Sequence, residues 1–324
     1  MRSRYTDSVV QKIPVGISSC LLGEEVRYNG GHKLSRLCVN NLSDYFEYRS
    51  VCPEVGIGLG VPRKPIHLLG DAEDPRAVDT QDASIDVTDR LKNFATETIP
   101  QLNDICGYIF IKGSPSCGLF KVKVYREDQD TPLHEGRGIY AKAVTDAMPL
   151  LPVEEAGRLT DPVLKENFIT RVFAYRRWQQ LQGKGLTASG IIEFHVAYKY
   201  SLMAHAPQSY NELGRMLADA GNHDPDELGQ RYFSALMQAL EKKANRKSNT
   251  NVLMHLQGYL KKQLQAKEKA KLAEVIEQYR NGIVPLVVPV TLLQHHFNNH
   301  PNEYISKQAF FDPYPQEMSL RNAI

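Results

Sequence analysis

The distribution of short apolar runs is the feature that most constrains the fold, because it changes character near the middle of the 324-residue chain. The first half alternates apolar runs with polar, helix-like stretches, a pattern typical of α/β domains. The second half shows a series of helix start signals and no convincing strand pattern before residue 283. The sequence therefore predicts an α/β domain followed by an all-α domain, joined near residues 151–158.

In the first half, the apolar runs indicate four strands and the stretches between them two helices. The predicted strands are Ile13–Ser18, Tyr48–Val51, Gly107–Ile111 and Lys121–Tyr125, and the predicted helices are Lys33–Asn41 and Val87–Pro100. We expect a parallel or mostly parallel, Rossmann-like sheet. The first domain is assigned to residues 1–155.

Residues 156–324 are predicted to form the helical domain. Asp161-Pro162 and Asp224-Pro225 each place a capping side chain before a proline at the first helical position. Thr187 starts a helix that ends before Pro207, and Ser209 with Glu212 fits a capping box. Two further helices are expected near residues 250–264 and 266–281.

The net charge of +2 conceals an uneven distribution. Residues 1–157 carry 22 acidic and 18 basic side chains, a net charge of −4, so the remainder carries +6. No apolar run approaches the roughly 20 residues that span a bilayer, and the N-terminus lacks the apolar centre of a secretory signal. We expect a cytoplasmic protein without membrane association, and the sequence implies no protein partner.

Three of the five cysteines follow predicted strands, either directly or within a short Gly/Ser/Pro turn: Cys20, Cys52 and Cys117. Because the carboxyl ends of parallel strands share one edge of a sheet, we expect these thiols to converge. Three thiolates bind zinc with an open position or an iron–sulfur cluster with one iron unprotected, and spacing alone does not separate the two. Cys38 and Cys106 are predicted to be core residues, with Cys106 at the opposite edge.

Short motifs around these cysteines resemble the TudS-type thiouracil desulfidase family. The matching segments are 18–23 (SSCLLG) with 26–30 (VRYNG) close behind, 52–54 (CPE), and 113–118 (GSPSCG). Their order makes the resemblance specific, and it covers about residues 10–155. Asn29 departs from the family pattern, where aspartate is more frequent. The second half is similar to the helical domain fused to this unit in tRNA 4-thiouridine desulfidases.

The resemblance implies a [4Fe-4S] cluster held by Cys20, Cys52 and Cys117. It also implies conversion of a thiolated uracil to uracil, with Glu54 as the general base for an attacking water. Ser114 and Ser116 are predicted to donate hydrogen bonds to developing charge or to orient the base. The alternative for Glu54 is an ordinary position in the first turn of a helix, and Gly-Ser-Pro-Ser is also a common turn sequence.

Four residues near these motifs are candidates for substrate binding: Arg27, Tyr28, Asn29 and Lys112. Tyr28 is suited to stacking on a base and Arg27 to a phosphate contact. The basic turn 62–64 is expected to face the same edge of the sheet. Solvated loop residues are the alternative interpretation for all of them.

Together with the substrate that the resemblance implies, a base within an RNA polyanion, the basic excess of the second half predicts tRNA binding through phosphate contacts. The residues singled out are Lys242, Lys243, Arg246 and Lys247. A solvated helix face is the common alternative for such a run. Two other functions remain open at this stage: desulfidation of free thiouracil or thiouridine nucleotides, and a zinc-binding RNA-interaction module without catalysis.

Overall fold

The computed structural model describes residues 11–126 and 129–324 and divides them into two compact units. The first unit ends at Asp161 and the second begins at Pro162. Residues 156–161, which the predicted boundary places in the helical domain, thus belong to the first unit. Residues 1–10 and 127–128, part of the predicted first domain, lie outside the described residues.

The first unit is an α/β structure with two sheets, as far as the described residues extend. Its strands are β1 (Ile13–Ser18), β2 (Phe46–Val51), β3 (Ile66–Leu69), β4 (Arg76–Asp79), β5 (Tyr108–Phe110), β6 (Val122–Arg126), β7 (Gln129–Gly136) and β8 (Val153–Glu155). Its α-helices are α1 (Pro53–Gly56), α2 (Thr88–Thr98) and α3 (Ile139–Ala147).

The first sheet is entirely parallel, with strand order β2-β1-β5-β8. Every residue of the central strand β1 is buried, which explains its continuous apolar character in the sequence. The α/β prediction and the parallel sheet are therefore confirmed. Because β1, β2 and β5 run in one direction, the segments after Ser18, Val51 and Phe110 all leave the same edge.

The second sheet has the order β4-β3-β6-β7, with β3 and β6 parallel and the outer pairs antiparallel. Of these strands, only β6 was expected from the sequence. The other three are short or polar and lack the apolar runs that mark buried strands. Leu68, Val122 and Val124 pack with Leu91 of α2 in the core beneath this sheet.

The helix predicted over Lys33–Asn41 is wrong in its first half, because only a single π-helical turn forms, over Leu37–Asn41. The residues before it pair with the segment that follows β1. The Lys33 N–H donates to the Cys20 carbonyl at 2.9 Å, and the Ser35 N–H donates to the Leu21 carbonyl at 2.8 Å. The backbone N–H groups of this segment therefore form hydrogen bonds with the Cys20 turn and not within a helix.

The second unit is helical over its described length, which confirms the all-α prediction. Its helices are α4 (Pro162–Gln182), α5 (Ala188–His205), α6 (Pro207–Met216), α7 (Pro225–Glu241), α8 (Arg246–Tyr259), α9 (Ala266–Arg280), α10 (Val287–Asn299) and α11 (Glu303–Ser306). The Asp224 carboxylate accepts from the N–H groups of Asp226 and Glu227, and the Thr187 hydroxyl accepts from the Gly190 N–H. Both predicted caps are thus confirmed.

The capping box expected at Ser209 is wrong, because α6 already begins at Pro207 and Ser209 lies within its first turn. Proline fixes its own φ near the helical value and starts the helix at that position. Among the helices that the structure describes, none has the length and apolar character needed to cross a bilayer.

Candidate active site

Three cysteines from three separate strand ends line one cavity of about 280 Å³ in the first unit. Cys20 follows β1 in a tight turn that ends at Gly23, whose φ of 93° lies in the left-handed region. Cys52 follows β2 and immediately precedes Pro53, the first residue of α1. Cys117 lies in the loop after β5. We call this space the cysteine cavity, and the expected convergence of the three thiols is found there.

The other two cysteines lie elsewhere, as predicted. Cys38 and Cys106 are fully buried, and neither lines the cysteine cavity. The Cys106 N–H donates to the carbonyl of Pro14, near the start of β1, at 2.8 Å. Cys106 therefore lies at the opposite edge of the parallel sheet.

The loop that carries Cys117 is held by its own serine and by helix α3. The Ser114 hydroxyl oxygen accepts from the Cys117 N–H at 3.1 Å and from the Ser116 N–H at 3.3 Å. The Ser116 carbonyl accepts from the N–H groups of Tyr140 and Ala141 at the start of α3. This close approach requires glycine at position 138, where a Cβ would lie 2.5 Å from the Ser116 carbonyl carbon.

A buried carboxylate fixes the chain immediately after this loop. Glu155, 1% exposed on β8, accepts from the N–H groups of Leu119 and Phe120, each at 3.1 Å. The sequence offered no sign of this role, because Glu155 is distant in sequence from the cysteine motif. Its two hydrogen bonds tie the Cys117 loop to the edge of the parallel sheet.

Burial makes the three thiols poor acids. Burial, with the neighbouring Cys52 thiol, raises the pKa of Cys20 to about 11. Burial also raises the pKa of Cys52, and burial with the Cys52 charge raises that of Cys117 well above its usual value. A negative charge on one thiol disfavours a charge on the others, so a thiolate triad here needs a positively charged partner.

The predicted base, Glu54, is enclosed by a hydrogen-bond network at the wall of the cysteine cavity. One carboxylate oxygen, Oε1, accepts from the Ser116 hydroxyl at 2.6 Å. The other, Oε2, accepts from Arg63 Nε at 2.9 Å and lies 2.8 Å from its terminal nitrogen. The side chains of Arg63 and Glu54 are only 5% and 13% exposed. Ser114 Oγ lies 3.0 Å from Ser116 Oγ and extends the network.

Arg63 belongs to the basic turn 62–64 that was expected to face this edge of the sheet, but its pairing with Glu54 was not predicted. Its guanidinium also donates to the carbonyls of Val26 and Gly60, both at 2.9 Å. The backbone N–H of Arg63 donates to the Tyr28 carbonyl at 2.8 Å. Its membership in the basic turn 62–64 was the available signal, but residues of this type are common in loops. Arg63 both pairs with Glu54 and holds the segment after the Cys20 turn.

Of the predicted substrate residues, Arg27, Tyr28 and Lys112 line the cysteine cavity, and Asn29 does not. The Arg27 guanidinium lies 5.7 Å from the centre of the Tyr28 ring, and 42% of Tyr28 is exposed. The Asn29 side chain instead accepts from the Gly31 N–H at 3.2 Å in a local turn. The geometry thus gives Asn29 a role in shaping the loop.

The predicted RNA-binding residues lie between α7 and the first turn of α8. Lys242, Lys243 and Lys247 are exposed. Arg246 is exposed as well, but its guanidinium also donates to the Tyr279 carbonyl at 2.7 Å and lies 4.8 Å from the centre of the Tyr279 ring. It thereby connects the start of α8 to the end of α9.

Two family models match this chain, one in each half. The model described as 2-thiouracil desulfurase matches residues 15–156, and a model described as a protein of unknown function (DUF1722) matches residues 199–315. The first match contains all three cavity cysteines and Glu54. The second match lies within the helical unit.

Three known proteins are similar to parts of the chain. The uncharacterized protein YbgA of Escherichia coli K12 is 31% identical over 159 residues, which are 49% of this chain and 94% of that protein. The uncharacterized protein YbbK of Bacillus subtilis 168 is 33% identical over 108 residues, 32% of this chain and 71% of that protein. The solved structure of the [4Fe-4S]-dependent thiouracil desulfidase TudS matches with 25% identity and a TM-score of 0.36, covering 46% of this chain and 95% of that one.

Fold and site together define an α/β protein with three cysteines at one sheet edge and a carboxylate beside them. Residues 15–156 belong to the 2-thiouracil desulfurase family, the TudS-type family that the cysteine motifs resemble, and a helical DUF1722 domain covers residues 199–315.

Proposed function

We propose that this protein is a [4Fe-4S]-dependent desulfidase that converts 4-thiouridine in tRNA to uridine and releases sulfide. The observation that carries the proposal is the single cavity where Cys20, Cys52 and Cys117 meet the Glu54–Arg63 pair. The reaction exchanges the sulfur on the ring carbon for oxygen from water, and hydrosulfide leaves. It is hydrolytic, so it requires neither an oxidant nor a reductant.

The donor set fits an iron–sulfur cluster. Two buried thiols, Cys20 and Cys117, and the half-buried Cys52 line one cavity, part of whose wall is apolar, from Val26 and Ile66. Among the described residues, no three His, Cys, Asp or Glu side chains lie close enough to hold a single metal ion. Ligands of an iron–sulfur cluster bind different irons and need not approach one point. Held by these three cysteines, the cluster would supply Lewis-acidic iron with affinity for soft sulfur ligands.

Glu54 is proposed to accept the proton of the attacking water. Arg63 and Ser116 hold its two oxygens in fixed positions, so the carboxylate needs little reorganisation when the proton arrives. The Ser114 hydroxyl, next to Ser116, is placed to donate to the negative charge that develops during addition. The water oxygen becomes the new carbonyl oxygen of the base.

The rim of the cysteine cavity supports binding of a nucleotide. Tyr28 offers an exposed ring on which a uracil can stack, and Arg27 and Lys112 offer positive charge for the phosphate. Within tRNA, the thiolated base must leave its stack to enter, at a cost of a few kcal/mol. We propose that Lys242, Lys243 and Lys247 of the basic helical unit hold the RNA while this happens, as expected for a cytoplasmic enzyme of tRNA modification.

The direct test is loss of the thiouridine absorbance when anaerobically prepared protein meets substrate. Three substrates are compared: thiolated tRNA, free 4-thiouridine and free thiouracil. We expect the highest kcat/KM with tRNA. Equal or higher values with the free base would replace the tRNA proposal by desulfidation of free thiouracil. A preparation that binds zinc and turns over none of the three would instead indicate an RNA-interaction module.

A further inference from the structure

A second cavity of the first unit, about 470 Å³ in volume, carries an unusual concentration of positive charge. Its lining includes four cations, Lys112, Lys121, Arg137 and Arg158, against two carboxylates, Glu135 and Glu155. The surrounding half of the chain is acidic overall, with a net charge of −4 over residues 1–157. We call this second cavity the cationic groove.

Lys112 lines both the cationic groove and the cysteine cavity, so the two spaces adjoin at this residue. We propose that the cationic groove binds the RNA backbone next to the thiolated nucleotide while its base occupies the cysteine cavity. This inference rests on the proposed desulfidase function and extends it, because it assigns part of the RNA contact to the catalytic unit. A free base would occupy only the cysteine cavity.

The charges of the cationic groove are only partly neutralised by the protein. Within the described residues, neither Lys112 nor Lys121 has a hydrogen bond or an ion pair. Both are exposed. Glu155 directs its carboxylate to the backbone N–H groups of Leu119 and Phe120. An anion in the groove therefore meets lysines that have no competing partner.

The two arginines have protein contacts but keep about half of their surface in solvent. Arg158 pairs with Glu154 at 2.7 Å and is 45% exposed, and Arg137 donates to the Thr145 hydroxyl at 2.8 Å and is 44% exposed. These contacts fix the direction of each guanidinium. A guanidinium held in this way is suited to bidentate contact with a phosphate.

The backbone of Lys121 adopts φ of 53°, in the left-handed region. Residues other than glycine seldom occupy it, and such strain concentrates at ligand-binding positions. The neighbouring Phe120 ring is 39% exposed, and Arg158 lies over it at 4.9 Å from its centre. An exposed ring beside free lysines is the combination with which proteins bind single-stranded nucleic acid.

The test uses Lys121→Asn in the full-length enzyme, because asparagine tolerates the left-handed backbone while removing the charge. Lys123→Asn is the matched control, since Lys123 is exposed on the adjacent strand β6 and lies outside the cationic groove. Lys121→Arg keeps the positive charge at this position. Two quantities are measured: kcat/KM for a 4-thiouridine oligonucleotide and for free 4-thiouridine, and binding of the oligonucleotide to metal-free protein by fluorescence anisotropy over a salt series.

We expect Lys121→Asn to lower kcat/KM and binding for the oligonucleotide about three- to tenfold and to reduce the salt slope by about 1. Turnover of free 4-thiouridine by Lys121→Asn should be unchanged. Lys123→Asn should match wild type on both substrates, and Lys121→Arg should bind and turn over the oligonucleotide as wild type does. Unchanged oligonucleotide binding in Lys121→Asn, or equal losses on both substrates, would overturn the inference. If wild-type enzyme desulfidates neither substrate, the proposed function fails, and anisotropy still compares Lys121 with Lys123.

Discussion

At the scale of single residues, the proposed chemistry depends on the difference between cysteines that face the cavity and cysteines that do not. Cys20 and Cys117 are buried, as the core residue Cys106 is. What separates them is the side of the sheet on which they lie. Position at the strand ends, and not burial, therefore distinguishes the proposed cluster ligands.

We expect serine at position 20, 52 or 117 to abolish retention of the iron–sulfur cluster, because the two remaining thiols are too few to hold it. Cys106→Ala and Cys38→Ala should retain iron at wild-type levels, although each loses packing in the core. Iron content and visible absorption after anaerobic purification measure this. Loss of iron in the core variants, with retention in the cavity variants, would reverse the assignment.

We expect Glu54→Gln to reduce turnover of thiolated substrate by roughly 10²- to 10⁴-fold, the range typical of general base catalysis. Glutamine keeps the size of the side chain and an oxygen for Arg63, so iron content should remain normal. Glu97→Gln serves as the matched control, because Glu97 is exposed on α2 and lies outside the cysteine cavity, and it should retain wild-type activity. Full activity of Glu54→Gln with an intact cluster would remove Glu54 from the mechanism.

The residues that sequence reasoning found share one property, which is proximity to a cysteine motif. Glu54 lies two positions from Cys52, and Ser114 and Ser116 lie within the Cys117 loop. Arg63 and Glu155 reach the site through the fold, from a separate turn and from β8. The basic turn 62–64 was expected at this edge, but the pairing of Arg63 with Glu54 and the hydrogen bonds of Glu155 have no local signal in the sequence and are visible only in the structure.

At the scale of elements, the fold was predictable where an apolar run made a buried strand or an N-cap started a helix. The sequence predicted strands β1 and β5 and helices α4 and α5, because an apolar run or a capping residue marks each of them locally. The polar strand β7 gave no such signal. The segment 33–36 was wrongly predicted as helix because its backbone pairs with the Cys20 turn, a tertiary contact that overrides local helical preference.

The contact between α3 and the Cys117 loop can be tested with a single methyl group. Gly138→Ala would place a Cβ 2.5 Å from the Ser116 carbonyl carbon, so the loop or the helix must shift. We expect a destabilisation of about 1–3 kcal/mol and reduced iron retention. Gly157→Ala is the control, because a Cβ there meets nothing within 4 Å and its φ is −65°. Equal iron content in both variants would show that the loop tolerates displacement.

At the scale of the whole molecule, the helical unit should lose stability in acid. Burial, with the Lys199 charge, lowers the pKa of His195 to about 4, below its ordinary value of 6.5. The unfolded chain therefore takes up a proton first as the pH falls. Stability present above pH 6.5 is lost progressively down to about pH 4, by up to about 3 kcal/mol.

The sole tryptophan, Trp178, is buried on α4 and stacks on Phe233, so its fluorescence reports unfolding of the helical unit. Urea unfolding at pH 7 and at pH 4.5 measures the change in the free energy of unfolding. His195→Gln should show a smaller difference between the two pH values than wild type. The exposed His255→Gln should behave like wild type. Identical pH dependence in all three proteins would contradict the assignment.

The central claim is that thiols from three strand ends hold a [4Fe-4S] cluster for a hydrolytic desulfidation. Its most direct test is chemical analysis of anaerobically purified protein for iron, acid-labile sulfide and zinc. We expect about four irons and four sulfides per chain, a brown colour and no stoichiometric zinc. A colourless protein with one zinc per chain, or with no metal after anaerobic reconstitution, would contradict the account.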